Sequence, residues 1–327
     1  MCAYGTERKG NNKMYIGIDL GGTNIAAGLV TDDGKIIAKG STPTLLPRDY
    51  KEIVKDMANL SKKLIADNNL SADEIKGIGI GCPGSVDTKT GIVAYSNNLK
   101  MDHAPVADEL KKYFDLPVSM LNDADAAAFG EFMINGNDVD SFIFITLGTG
   151  VGGGIVINKK VYNGFNAAGG ELGHITLVHG GIPCNCGNVG CWEAYASVTA
   201  LIRQTKEAME KHPESLMTEI ANKEGKVSGR TSFEAAKAGD KVAKEVVKQY
   251  CEYVASGLVS IINIFQPEKL VIGGGISKEG DYLLKPIIEY CNAHEYNKYL
   301  KKVDISIATL FNDAGIIGAA LSCKNKN

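Results

Sequence analysis

The sequence predicts an α/β protein made of two copies of one unit, and three observations carry that prediction. Short β-rich runs alternate with longer stretches at helical spacing. A unit of strand, glycine turn and strand occurs twice: residues 15–19, 20–23 and 25–30, then 142–146, 147–150 and 155–157. A shift of 127 residues lays Asp19 on Thr146, Leu20 on Leu147, Gly21 on Gly148, and Leu29 and Val30 on Val156 and Ile157. Glycine is also in excess, 38 of 327 residues or about 12% against a usual ~7%. It shows no collagen-like period, so the excess belongs in turns and in loops that approach a ligand. A duplicated α/β domain implies a cleft between its halves.

The remaining elements follow in order. The turn at Asp32, Asp33 and Gly34 leads to a third strand over 35–39. Ile53, Met57, Leu60, Leu64 and Ile65 recur at helical spacing over 50–68. Residues 75–81 read as a buried strand closed by a turn over 82–85, and 117–121 as another with Asn122 and Asp123 at its C-terminal end. In the second half, 193–212 reads as one helix and 214–239 as mixed helix and loop. Residues 241–265 read as a long helix stopped by Gln266 and Pro267. A buried strand over 269–272 runs into Gly273, Gly274 and Gly275, and 314–321 forms a closing helix. The expected domains are a small lobe over 14–121, to which a closing helix at about 312–323 returns, and a large lobe over 122–311. Residues 1–13 are expected to be a disordered tail.

Composition removes several function classes. Lysine plus arginine less aspartate plus glutamate is 35 − 38 = −3, which argues against a nucleic-acid or anionic-membrane surface. The longest apolar stretch, 254–265, holds Ser256, Ser260 and Asn263 and is shorter than the ~20 residues of a spanning helix. The first thirteen residues lack the apolar core of a signal peptide. Eight cysteines in a chain of this length do not make a disulfide scaffold, so a cytoplasmic location is expected.

Three groups of residues carry chemistry. Two glycine turns, Gly21-Gly22-Thr23 and Gly148-Thr149-Gly150, let backbone N–H groups approach anionic oxygens, with the Thr23 and Thr149 hydroxyls as further donors. Neither is a P-loop, and the first opens a hairpin where a dinucleotide fingerprint would open a helix. Asp19, at its strand end, is placed to hold Mg²⁺ directly or through water, or else to cap its turn. His174, Cys184, Cys186 and Cys191 are spaced H-x9-C-x-C-x4-C, the thiolate and imidazole set of a structural Zn²⁺ site. Gly187 and Gly190 permit the chain reversal between those thiolates. Glu171, Glu193 and the pair Asn122 and Asp123 supply groups that accept hydrogen bonds from vicinal hydroxyls or take a proton from an attacking hydroxyl. Taken singly, each of these acids is equally an ordinary surface residue or helix cap.

Together these stretches resemble a known family. Asp19-Leu-Gly-Gly-Thr-Asn24, Asn122-Asp123-Ala-Asp-Ala-Ala and Leu147-Gly-Thr-Gly-Val-Gly-Gly-Gly are the first three. Gly170-Glu171-Leu-Gly-His174 and Cys184-Asn-Cys-Gly-Asn-Val-Gly-Cys-Trp-Glu193 complete the set. The pattern is similar to the ROK (repressor, open reading frame, kinase) family and, within it, to the bacterial glucokinases, from about Met14 to Leu321. The resemblance implies the actin-like ATPase (ribonuclease H-like) fold, two lobes closing around nucleotide and sugar in an interlobe cleft. It implies transfer of the γ-phosphate of Mg-ATP to the 6-hydroxyl of glucose, with Asp123 as general base. Gly84, Asn98, Asn122, Asp123, Glu171, His174 and Glu193 match sugar contacts, and His174 would serve both zinc and sugar. Asp19, Gly21, Gly22, Thr23, Asn24, Gly148, Thr149 and Gly150 match the phosphate loops, and Gly273, Gly274 and Gly275 the loop beside the adenosine. ATP, Mg²⁺, a structural Zn²⁺ and a homodimer or homotetramer follow from the same resemblance. N-acetylmannosamine, fructose or allose are the alternative sugars, and polyphosphate an alternative donor. The family's sugar-responsive repressors carry an extra DNA-binding domain before the first glycine turn, where only thirteen residues precede Met14 here. Two departures stand out: Lys100-Met101-Asp102-His103 after Asn98 and Leu99, and Trp192, expected to be a packing variant.

Overall fold

The computed structural model describes residues 13–326, so the expected tail lies outside them except for Lys13. The chain divides into two compact units, one taking the residues up to Ile134 and from Asp313 onward, the other Asn135–Asn312.

The first unit opens with β1 (Met14–Leu20), β2 (Asn24–Thr31) and β3 (Ile36–Pro43), an antiparallel meander. Helix α1 (Tyr50–Asp67) follows, started by the Asp49 carboxylate, which accepts the Lys51 N–H at 2.8 Å. It buries Ile53, Met57, Leu60 and Leu64 against the strands. Strand β4 (Ile75–Cys82) pairs parallel with β1. A small sheet of β5 (Ser85–Asp87), β6 (Ile92–Ser96) and β7 (Met101–Ala104) comes next, then the short helix α2 (Val106–Lys111). Strand β8 (Val118–Asn122) pairs parallel with β4 and runs straight into α3 (Asp123–Asn135). The main sheet is therefore ordered β3-β2-β1-β4-β8.

The second unit repeats this plan. Strands β9 (Ser141–Leu147), β10 (Val151–Ile157) and β11 (Lys160–Tyr162) form an antiparallel meander. Strands β12 (Lys269–Gly273) and β13 (Asp304–Ile307) add in parallel to give the order β11-β10-β9-β12-β13. The 127-residue shift carries the bounds of β1 onto those of β9. Between β11 and β12 lie a cysteine-bearing loop and the helices α4 (Glu193–Ala196), α5 (Val198–Lys211), α6 (Leu216–Glu224), α7 (Thr231–Lys237) and α8 (Lys241–Phe265). Helix α9 (Asp281–His294) connects β12 to β13. Trp192 is wholly buried: its indole N–H donates to the Tyr253 carbonyl at 2.8 Å, and its ring lies on Gly257, where a Cβ would stand 2.1 Å away.

Helix α10 (Ala314–Ser322) closes the chain and packs on the first sheet. A Cβ at Gly17 would lie 1.9 Å from the Ile316 carbonyl oxygen, and one at Gly79 would lie 1.7 Å from that of Ala319. Gly130 of α3 and Gly318 of α10 are in the same condition, with the Ala314 and Ala126 carbonyl oxygens at 2.2 and 1.7 Å. Glycine is thus required where helix backbone meets sheet or helix backbone. That contact keeps α3 with the first unit, so the break falls after Ile134 and not after residue 121 as expected.

A second correction concerns residues 193–212. Ser197 is extended (φ −73°, ψ 162°) and its hydroxyl accepts the Ala200 N–H at 3.1 Å, so it ends α4 and starts α5. Among the described residues, no helix is long and apolar enough to cross a membrane.

Candidate functional site

In the first unit the chemistry lies at the C-terminal ends of parallel strands, where open α/β sheets bind ligands. Asp19 of β1 is in register with Gly81 of β4, and Cys82 of β4 with Asn122 of β8. A Cβ on Gly81 would sit 3.8 Å from the Asp123 Cα, so Asp19 and Asp123 flank a position with no side chain. Asn122 is fixed at both ends. Its Oδ1 accepts the Ala124 N–H at 2.8 Å, and its Nδ2 donates to the Gly84 carbonyl at 2.9 Å. Gly84 needs to be glycine twice over, by its φ of +105° and because a Cβ would lie 2.2 Å from the Tyr95 carbonyl oxygen. Asn98 brings its carbonyl within 3.5 Å of where a Cβ of Gly22 would be, which seats the β6–β7 loop against the first glycine turn. The departure Lys100 to His103 runs from the end of that loop through β7, with both end residues at positive φ and His103 Nδ1 2.5 Å from Asp102 Oδ1.

The first glycine turn is closed by the Gly21 N–H on the Asn24 carbonyl at 2.9 Å. It is tied down by Thr44, whose hydroxyl donates to the Gly21 carbonyl at 2.7 Å and whose N–H donates to that of Thr23 at 2.8 Å. The second turn is built alike. The Gly148 N–H donates to Gly150, the Val198 N–H to the Gly148 carbonyl at 2.8 Å, and the Thr199 hydroxyl to that of Thr149 at 2.7 Å. Thr44, Val198 and Thr199 did not emerge from the sequence. The break at Ser197 is what frees the Val198 N–H for the turn, and Ser197 itself was the legible signal, a helix-capping residue inside an otherwise helical run.

Glu193 joins this turn to the cysteine loop. Its Oε2 accepts the Val151 N–H at 2.8 Å and occupies the space a Gly150 side chain would fill, while its Oε1 lies 3.8 Å from Cys184 Sγ. The ligand atoms of His174, Cys184, Cys186 and Cys191 all lie within 4.8 Å of one another. His174 Nδ1 is 3.8 Å from Cys184 Sγ, and Cys186 Sγ is 3.6 Å from Cys191 Sγ. Those separations match the edge of a tetrahedron with bonds of about 2.3 Å, roughly 3.8 Å, so the donor set fits a four-coordinate zinc. Gly187 and Gly190 have φ of +92° and +76°, as the chain reversal requires. Glu171 stands exposed at the head of the turn Leu172–His174. Gly274, at φ +89°, lies against β9, a Cβ there being 2.1 Å from the Leu147 carbonyl oxygen.

The candidate residues thus fall into two groups. Asp19, Gly21 to Asn24, Gly84, Asn98, Asn122 and Asp123 belong to the first unit. Gly148 to Gly150, Glu171, His174, the three cysteines, Glu193 and Gly273 to Gly275 belong to the second.

Residues 15–326 match the ROK family, and the chain belongs to it. It is 38% identical over 318 residues to a glucokinase from Halalkalibacterium halodurans, covering 97% of this chain and 96% of the relative. A ROK family glucokinase from Streptomyces griseus, solved with glucose and AMPPNP, superposes with a TM-score of 0.79 at 33% identity, covering 95% and 99% of the two chains. A xylose repressor from Caldicellulosiruptor bescii is 29% identical, covering 93% of this chain and 76% of the repressor. The duplicated fold is that of the actin-like ATPases.

Burial, and then the charge of Asp123, push the Asp19 carboxyl up to about 6, and burial raises Asp123 as well. Asp123 keeps one side open to solvent. A raised acid holds its proton longer in the folded state than in the unfolded one. Stability is therefore lost as the pH rises from the ordinary carboxylate range, ~4, through about 6, and the loss is complete above it. In metal-free buffer, Asp19→Asn is expected to melt roughly 2–4 °C above the wild type at pH 8 and level with it at pH 4, by calorimetry. Equal melting at both values would contradict the shift.

Proposed function

We propose that this chain is an ATP-dependent glucokinase, carrying the γ-phosphate of Mg-ATP to the 6-hydroxyl of glucose to give glucose 6-phosphate and ADP. The observation that carries the reading is the pair of upward-shifted carboxylates, Asp19 and Asp123, at the ends of β1 and β8 on either side of β4 and beside a glycine turn, in a chain 38% identical to a glucokinase. The kinase relatives outrank the repressor relatives in identity, which favours catalysis over DNA-linked sensing.

In this reading Asp123 accepts the proton of the 6-hydroxyl as that oxygen bonds to the γ-phosphorus. The bond from that phosphorus to the β,γ-bridging oxygen breaks, and ADP leaves. The upward shift of Asp123 makes it a stronger base than a solvated aspartate. Asn122 positions it: with both ends of its amide engaged, the backbone at the start of α3 is held in place. The two glycine turns have carbonyls tied back by Thr44, Val198 and Thr199, which leaves their N–H groups to meet the phosphates. Asp19 would hold a magnesium ion, whose charge would offset that of the phosphates. Sugar hydroxyls would be bound in the first unit by Asn98, Asn122 and the Gly84 backbone, and in the second by Glu171, His174 and Glu193. Zinc, held by the three thiolates and His174 Nδ1, would cross-link the loop that presents Glu171, His174 and Glu193. His174 then offers its other ring nitrogen to the sugar.

ADP release from Mg-ATP across glucose, mannose, N-acetylmannosamine, fructose and allose tests the substrate. The highest kcat/KM is expected on glucose. A higher value on another sugar replaces the substrate, and turnover on none of them refutes the kinase. For the metal, elemental analysis is expected to find one zinc per chain. Cys186→Ser should lose that zinc and melt several degrees lower, whereas a zinc-free wild type of undiminished melting temperature would refute the site.

A further inference from the structure

Within the second unit, the loop after β13 returns to the glycine turn after β12. The Ala308 N–H donates to the Ile272 carbonyl at 2.9 Å, and a Cβ on Gly273 would lie 3.3 Å from that of Ala308. Three residues further on, Phe311 holds its ring 48% exposed on a backbone at φ +47°, a conformation that residues with large side chains rarely adopt. The Lys278 ammonium, from the turn Gly275–Glu279, stands 5.9 Å from the ring centroid. Gly275 is unlike most glycines of the chain: a Cβ there would meet nothing within 4 Å, and its φ lies outside the left-handed region. Gly148 has both properties too, and the position of Gly274 on the Leu147 backbone brings the two turns together. Neither protein packing nor backbone conformation demands glycine at 148 or 275. Close approach of a ligand would.

We propose that Phe311 is the platform on which the base of the nucleotide donor stacks, that Lys278 steadies its ring from the edge of that site, and that Gly148 and Gly275 leave room for the sugar-phosphate part. The inference rests on the nucleotide reading given above. An exposed ring with a cation beside it and open backbone at its foot suits a planar base joined to an anionic chain. Stacking needs only a π-face, so the platform supplies affinity with little choice between adenine and guanine. The unfavourable backbone at 311 is then the cost of presenting a ring where glycine would be relaxed.

The test is calorimetric titration of ADP, GDP and pyrophosphate into wild type, Phe311→Leu, Phe311→Gly and Phe311→Trp, with melting temperatures alongside. The wild type should bind all three, with ADP and GDP within about threefold of each other. Leucine and glycine at 311 should weaken ADP about tenfold, equivalent to ~1.4 kcal/mol, and leave pyrophosphate within about twofold. Tryptophan should keep ADP within about threefold. Phe311→Gly should melt at or above the wild type, because glycine accepts the backbone angle. Undiminished ADP binding by Phe311→Leu, equal losses for ADP and pyrophosphate, or a markedly lower melting temperature for Phe311→Gly would each overturn the platform. A wild type that binds neither ADP nor pyrophosphate would instead refute the nucleotide reading itself, before any variant is compared.

Discussion

The first unit depends on a helix laid backbone-first onto a sheet. Helix α10 touches β1 and β4 through Gly17 and Gly79 and crosses α3 at Gly318 and Gly130, each time at a distance that any Cβ would prevent. The consequence reaches the site. At the start of α10, a Cβ on Gly315 would lie 3.3 Å from the Asp19 carboxyl carbon, so the helix terminus closes over that acid and helps remove it from water. The same packing holds α3 against the sheet, and Asp123 is the first residue of α3. Two carboxylates that have different places in the sequence are therefore set by one close-packed contact. Their upward shifts express how far they have been taken out of solvent.

The second unit solves a different problem, the fixing of a glycine turn that has no side chains to anchor it. Its carbonyls are held from the N-terminus of α5, and its following amide, Val151, by Glu193. Glu193 also faces Cys184, so the geometry of the cysteine loop is transmitted to the turn through one carboxylate. A carboxylate has room for several hydrogen bonds, and engagement by Val151 leaves the sugar-binding role proposed for Glu193 open to it. A metal knuckle built this way would stiffen the second glycine turn as well as the loop that carries Glu171 and His174.

Much of this was legible in the residues. The duplication was readable because strand and turn repeat at a constant offset, and the offset holds to the bounds of β1 and β9. The cysteine cluster was readable because its ligands are close in sequence, as a knuckle requires. What was not legible depends on contacts distant in sequence. Thr44 reaches the first turn from the end of β3, and nothing in its neighbourhood marks it. The interruption at Ser197 was hidden by helix-forming neighbours on both sides, although a serine cap is a local signal. The small sheet of β5 to β7 has strands too short for periodicity to show. The unit boundary was misplaced because a backbone-to-backbone glycine contact between α3 and α10 leaves no pattern of apolar side chains to read.

In the proposed reaction Asp123 takes the proton from the sugar hydroxyl and contributes little to holding the sugar. Single-turnover phosphoryl transfer with Asp123→Asn, paired with glucose binding to the same protein by calorimetry, separates the two roles. The transfer rate is expected to fall about 10²–10⁴-fold with glucose affinity kept within a few-fold. Transfer reduced only in proportion to lost glucose binding would contradict it, and would make Asp123 a sugar ligand and not the base.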